Sequence, residues 1–323
     1  MTPVGSRGPV SRRGRFAPSP TGPLHLGSLL AALGSYLDAR AAGGEWLVRL
    51  EDVDRTRESP GAADAILATL ERFGLCWDGP VLRQSARAEA YESALGLLSR
   101  DGLSYGCSCT RAEIADNSAA GALRAPRRRG RAVVAGTPTE QRYAGRCRQG
   151  PARPQSRLAV RFRTAGFSPV TIEDRLQSPL TQDVEADVGD FVLRRRDGFY
   201  AYQLAVVVDD AAQGITDVVR GLDLYDNTPR QRLLQHALHA PELRYLHLPL
   251  VVEGSGAKLS KSRRALPADA CQAPALLSTL LRWLHHPPPE MLRSAPVAEQ
   301  LAWAVSAWNP KFLQGVKTIS STG

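Results

Sequence analysis

Pro18-Ser-Pro-Thr-Gly-Pro23 is the stretch that most constrains how this chain folds. Its prolines fix φ and remove backbone donors, so neither a helix nor a sheet ladder can pass through and the chain must loop. Just before it, Arg15-Phe-Ala-Pro18 reads as a short strand running into the loop. Just after it, LHLGSLLAALGSYLDARAAGG from Leu24 is rich in Leu and Ala, helical in pattern, and closed by Gly43-Gly44. Trp46-Leu-Val-Arg-Leu50 follows as a buried strand ending at acidic Glu51-Asp52-Val-Asp54. A second helix is expected after Ser59, with Pro60 in its first turn, to about Phe73, and a third over roughly Ala86 to Arg100. Strand, loop, helix, strand, helix at this spacing predicts an α/β fold with a parallel, doubly wound sheet.

Residues 105 to 150 break that rhythm. They hold Cys107-Ser-Cys109, an arginine-rich run from Arg124 to Arg131 among Ala, Gly and Pro, and Tyr143-Ala-Gly-Arg-Cys147. The run has a composition that cannot bury a core. Beyond it, Leu158 to Arg163 and Val170 to Leu176 read as antiparallel strands, and Asp190 to Gly198 as a strand and turn. Tyr202 to Asp210 and Val218 to Gly221 are apolar segments. Thr228 to His239 is expected to be a helix, capped by Thr228 with Pro229 at its first position. Leu246 to Glu253 leads into a Gly-Ser-Gly loop, and the last residues (LQGVKTISSTG) read as a weak tail. The expected division is a flexible N-terminus (1–12) and two halves of the α/β domain (13–104 and 191–265). An insertion (105–190) lies between the halves, and a short helical segment (266–323) closes the chain.

At 323 residues the chain can hold one large or two modest domains without staples. No apolar run of about 18 residues is present to span a membrane, and the charged N-terminus lacks the apolar stretch of a secretory signal. Five cysteines then read as thiols or metal ligands rather than disulfides, and a cytoplasmic location is expected. The net charge of +9 favours a polyanionic partner, because arginines release counterions from phosphates. Charge alone separates neither RNA from DNA nor function from a codon bias toward arginine.

Lysine is scarce: four lysines stand among 41 Lys and Arg, and two of them lie in Lys258-Leu-Ser-Lys261-Ser262. An ammonium is a compact point charge on a flexible stem, suited to meeting a polyphosphate from a mobile loop, although two lysines in a polar loop are often just solvated. Upstream, the Pro/Gly loop delivers His25 and Gly27 to a helix N-terminus, where free N–H groups and the helix dipole form an anion site. A lone histidine there is otherwise a structural feature.

Together these stretches carry a resemblance. SPTGPLHLGS followed by KLSKS resembles the paired signature motifs of class I aminoacyl-tRNA synthetases. RFAPSPTG, RLEDVDRTR and AYQLAVVVDDAAQGITDVVRG are similar to their glutamyl branch, so the likeness spans most of residues 13 to 265. It implies a Rossmann-like catalytic domain with an inserted subdomain that contains zinc and resembles an acceptor-binding insertion. It also implies a ligase that activates L-glutamate with ATP and Mg2+ to an adenylate and then passes the acyl group to RNA. Such chemistry needs positioning and charge stabilisation rather than a protein nucleophile. His25 and Lys261 are the catalytic residues implied, and His25, Gly27, Lys258, Ser260 and Lys261 the ATP-binding ones. Ser28 stands where the signature has a second histidine and is not counted as catalytic. Arg15, Ala17, Ser19, Glu51, Tyr202 and Arg220 match the glutamate-binding places. Arg15 and Arg220 suit the carboxylates, Glu51 the ammonium, and Tyr202 offers a neutral hydroxyl.

Cys107, Cys109 and Cys147 supply three thiols, and no histidine lies between Cys109 and Cys147 to complete a zinc site. In short relatives of the glutamyl enzymes a tyrosine is the fourth ligand, which implies Tyr143 here; the departure is the long arginine-rich spacer from 110 to 142. Cys76 and Cys271 lie outside any ligand spacing, and His285-His286 read as loop residues. After Ser262 only 61 residues remain, too few for the helical anticodon-binding portion of a full glutamyl enzyme. The resemblance is therefore to the glutamyl-queuosine tRNA(Asp) synthetase family. Its partner would be the anticodon arm of tRNA(Asp) carrying queuosine, met by a monomer that activates glutamate without tRNA. Two alternatives stay open: a conventional glutamyl-tRNA synthetase lacking its C-terminal part, and a non-catalytic zinc-containing RNA-binding paralogue. Intact His25, Glu51, Arg220 and Lys261 weigh against the second.

Overall fold

The computed structural model describes residues 12–115, 142–253 and 272–321. Lys258, Ser260, Lys261, Cys271 and the Arg124–Arg131 run lie outside the described residues.

Parallel pairing organises the first half. β1 (Arg13–Phe16) pairs with β2 (Glu45–Leu50), and β2 with β3 (Leu82–Arg83), both in parallel. Parallel neighbours need a crossover, and the helical connections are α1 (Leu26–Ala41) and α2 (Ala62–Arg72). Leu29, Leu33 and Leu37, spaced one helical turn apart on α1, are fully buried in the main core with Trp46, Val48 and Leu50 of β2. α2 begins at Ala62, two residues after Pro60. Gly61 takes a left-handed φ of 74° at the N-cap, so Pro60 precedes the helix rather than opening it. The third helix, α3, spans Ala88–Arg100 and follows a 3-10 turn, where Asp52 holds Ser85 by its N–H and hydroxyl.

Between residues 104 and 194 the strand pairing is antiparallel. β4 (Ser104–Cys107), β5 (Ala159–Phe162) and β8 (Val192–Arg194) form one sheet. Between β5 and β8 lie the hairpin of β6 (Val170–Ile172) with β7 (Leu180–Gln182) and the single turn α4 (Val184–Asp187). The expected strand to Leu176 stops at Ile172 because Asp174 accepts from Leu176 N and Gln177 N, turning the chain.

The chain then returns to the parallel layer. α5 (Tyr202–Ala212) leads to β9 (Asp217–Gly221), which pairs in parallel with β10 (Arg244–Leu248) across α6 (Thr228–Ala237). Thr216 N donates to Arg13 O and Arg13 N to the Thr216 hydroxyl, so β9 begins beside β1. Gly34 lets α1 approach β10: a Cβ there would lie 2.6 Å from a Leu248 methyl carbon. Asn227, not Thr228, is the cap residue of α6; the Thr228 hydroxyl is taken by Arg220. α7 (Ala273–Trp283) and α8 (Val297–Ala307) join the main core against α1. The expected weak tail is in part a strand, β12 (Thr318–Ser320), paired in parallel with β11 (Leu250–Val252). Ile319 packs into the core, which gives the tail its hold. Among the described residues no helix is long and apolar enough to cross a membrane.

Candidate active site

Ligands of open parallel sheets collect outside the carboxyl ends of the strands. Here the ends of β1, β2, β9 and β10 open on one cavity of about 670 Å³. Arg15, Ala17, Ser19, His25, Gly27, Glu51, Tyr202 and Arg220 all line it. The proline-rich loop is pinned at its floor and rim, since Glu51 N donates to Pro18 O and Ser59 N to Pro20 O. His25 is the N-cap of α1, its Nδ1 accepting from Ser28 N at 3.1 Å and its Nε2 lying 3.0 Å from the Ser28 hydroxyl. A Cβ on Gly27 would sit 3.3 Å from the His25 ring, so the glycine makes room for the imidazole as well as for a ligand.

Buried charges set the field. Arg15 donates through Nε to Asp210 at 3.2 Å, and Arg49 meets the same carboxylate at 2.8 Å. Those two guanidiniums hold the Asp210 carboxyl below its usual range against the opposing effect of burial. Arg15, expected from sequence to be open to a substrate carboxylate, thus already has a carboxylate partner. Glu51 is largely buried, 3.8 Å from Arg49, and burial pushes its carboxyl up to about 7 despite the nearby guanidiniums. Arg220 differs from both other arginines. Its guanidinium donates to His247 Nε2 at 3.0 Å, Tyr202 Oη at 3.3 Å, Gln231 Oε1 at 2.8 Å, Leu224 O at 3.3 Å and Thr228 Oγ1 at 2.8 Å. All five acceptors are neutral when His247 is, and among the described residues no carboxylate forms an ion pair with Arg220.

Asp210, Arg49, His247, Gln231 and Thr228, which form the buried network behind the cavity's arginines, are residues that sequence reasoning missed. The Asp209-Asp210 pair inside an apolar segment was a usable signal, because a buried helix carries acids only where cations meet them. Asp209, its neighbour, faces the other way and is held by Gln84, Arg87 and Tyr91.

A second cluster lies in the insertion. The Sγ atoms of Cys107, Cys109 and Cys147 lie within 4.8 Å of one another and are buried. Tyr143 Oη is 3.3 Å from Cys107 Sγ and 3.5 Å from Cys109 Sγ, and Cys109 and Cys147 sulfurs are 3.6 Å apart. Four ligands around a tetrahedral zinc at ordinary Zn–S distances would place sulfurs about 3.8 Å apart, so the donor set fits such an ion. Burial pushes the Cys109 thiol up to about 11. Burial acts the same way on Cys147, but the Tyr143 hydroxyl and backbone N–H groups of Ser108 and Ala152 overcome it and hold that thiol down at about 6. The Arg161 guanidinium lies 3.9 Å over the Tyr143 ring, placing positive charge beside the thiols. Cys76 is exposed and apart from them. His285 and His286 bond to backbone carbonyls, as loop residues do.

The layered parallel sheet with this site belongs to a known class. Residues 12–272 match the family described as tRNA synthetases class I (E and Q), catalytic domain, and the chain belongs to that family. Within it the chain is 54% identical over 297 residues to the "Glutamyl-Q tRNA(Asp) synthetase" of Dechloromonas aromatica, covering 92% of this chain and 93% of that protein. It is 50% identical over 301 residues to the protein of the same name from Thiobacillus denitrificans, covering 93% and 94%. The crystal structure of glutamate-tRNA synthetase from Elizabethkingia anophelis superposes with a TM-score of 0.75 at 24% identity. That match covers 97% of this chain and 68% of the other, and bears on the fold alone.

Proposed function

We propose that the chain is a ligase that activates L-glutamate with ATP and transfers it to queuosine at the wobble position of tRNA(Asp). The charge balance of the cavity carries the substrate part. With Glu51 ionised, Arg15 and Arg220 on the cavity wall and Arg49 behind it face two carboxylates, Glu51 and the buried Asp210, which leaves one positive charge in excess. Arg57 and Asp223 also line the cavity and add one charge of each sign. Glutamate, with two carboxylates and one ammonium, brings the missing negative charge. Arg220 and Tyr202 would meet a carboxylate, Glu51 the ammonium, and Arg15, Ala17 and Ser19 the backbone end of the amino acid. The α-carboxylate oxygen then attacks the α-phosphorus of ATP as the bond to pyrophosphate breaks. His25 and Gly27 at the N-terminus of α1, with Lys258, Ser260 and Lys261 from the signature loop, are the proposed phosphate partners. A queuosine hydroxyl next takes the acyl group and AMP leaves. The names of the relatives support this acceptor, and free thiols fit a cytoplasmic protein. A single chain supplies every proposed glutamate residue, as a monomer requires.

The test is glutamate-dependent ATP–pyrophosphate exchange without tRNA, followed by transfer of labelled glutamate to tRNA(Asp) with and without queuosine. Exchange with transfer only to the queuosine-bearing tRNA is expected. Charging of tRNA(Glu) instead would support the conventional synthetase, and absence of exchange the non-catalytic paralogue.

Glu51 makes the reaction sensitive to acid. With its carboxyl raised to about 7, the empty site holds a neutral Glu51 below that pH and an anionic one above it. An ammonium needs the anion, so kcat/KM for glutamate should fall about tenfold per pH unit as pH drops below 7. Glu51→Gln should remove that limb; a wild-type profile flat from pH 6 to 8 would refute the assignment.

We further propose that Cys107, Cys109, Tyr143 and Cys147 hold one zinc ion. The group would supply a structural crosslink between β4 and the segment preceding β5, and the chemistry at the cavity does not pass through it.

A further inference from the structure

Arg220 and His247 are register partners on the parallel strands β9 and β10, so their side chains leave the sheet together. His247 is fully buried. Its Nε2 lies 3.0 Å from Arg220 Nε, a nitrogen that can only donate, so Nε2 must be the bare acceptor. The proton therefore sits on Nδ1, which lies 2.6 Å from Asp174 Oδ2. Burial, with the neighbouring charge of Arg220, pushes the imidazole down to about 4, consistent with a neutral ring. Asp174 is itself fixed, because its Oδ1 accepts from Leu176 N, Gln177 N and His247 N. Gln177 Nε2 ties that turn to His247 O and to Val316 O near the C-terminus.

We propose that His247, with its tautomer set by Asp174, is a positioning residue that fixes the plane of Arg220 and leaves its charge for the substrate carboxylate. This rests on the reading that Arg220 meets that carboxylate. An anionic group at position 247 would hold the guanidinium equally well but cancel the charge the substrate needs. A protonated imidazole would turn Nε2 into a donor facing another donor. The neutral ring accepts one hydrogen bond and does neither.

Asp174→Asn separates this role from simple packing. Three backbone N–H groups keep the amide oxygen at the Oδ1 place, so the NH2 faces His247 Nδ1 and drives the ring proton to Nε2, against Arg220. The KM for glutamate in ATP–pyrophosphate exchange should rise roughly tenfold to a hundredfold, the effect of leaving a buried donor unpaired. The KM for ATP and the melting temperature should change little. His247→Leu should behave alike, and His247→Gln, whose amide oxygen reaches the Nε2 place, should restore KM to within a few fold. In the wild type, 15N NMR of the imidazole should show a protonated Nδ1 and a bare Nε2. Unchanged glutamate KM in both Asp174→Asn and His247→Leu, a parallel rise in both KM values, or a protonated Nε2 in the wild type would each overturn the proposal. Arg220→Gln is the control. If it leaves glutamate KM untouched, the reading of Arg220 fails; if it raises KM while the other variants do not, only the positioning role fails.

Discussion

Replacing Arg220 with glutamine is expected to lower kcat/KM for glutamate by about 30-fold to several thousand-fold, the range for removing one partner of a buried charge pair. The physical ground is that, among the described residues, Arg220 is a buried arginine of the cavity whose hydrogen-bond acceptors are all neutral. Arg15 and Arg49 share Asp210 and keep less field for a ligand. Arg220 forms no ion pair among the described residues, so its loss should not leave a bare buried carboxylate behind as breaking an internal ion pair would. The melting temperature of Arg220→Gln should stay within a few degrees of wild type. Discrimination against glutamine should also collapse, since a neutral side chain at 220 no longer favours a carboxylate over an amide. Kinetics of exchange with each amino acid, beside thermal melts, settle the matter; unchanged kcat/KM in a folded variant would sink the role assigned to Arg220.

Cys147→Ser is the second large effect. Protein purified without chelator should carry about one zinc per chain, and the variant close to none. The Tyr143 hydroxyl and backbone N–H groups hold the Cys147 thiol down at about 6 against burial, which favours the thiolate that a metal takes. Metal binding of this kind is folding energy, and its loss should cost several kcal/mol, lowering the melting temperature by roughly 10 °C. The insertion should loosen first, because Tyr143 N bonds Val188 O and Asp190 N bonds Tyr143 O beside the cluster. Far less than one zinc in wild-type protein would refute the metal site, and an unchanged melting temperature in a zinc-free variant would refute its structural role.

Local chemistry made much of the fold legible. The proline-rich loop, the leucines of α1 and the strand at Trp46 were all readable, because proline geometry and hydrophobic period act within a few residues. Boundaries shifted where a distant partner intervened. α6 has Asn227 at its cap position, and the hydroxyl of Thr228 accepts from Arg220 eight residues upstream. The tail became β12 because β11 offers it an edge. Candidate site residues far apart in the chain could be named because their motifs resemble a family. Their number of free charges could not be named, since that depends on which acids the fold brings to which arginines.

By itself, then, the sequence determined the parallel α/β class, the loop that bears His25, the spacing of the three thiols and the family. These follow from dihedral restriction, periodicity and motif. Only the tertiary structure decided that Asp210 occupies Arg15 and Arg49, and that Asp174 and His247 hold Arg220 without cancelling its charge. Electrostatic pairing is a property of distance in space, and residues 15, 49, 174, 210, 220 and 247 become neighbours only when the sheet has formed.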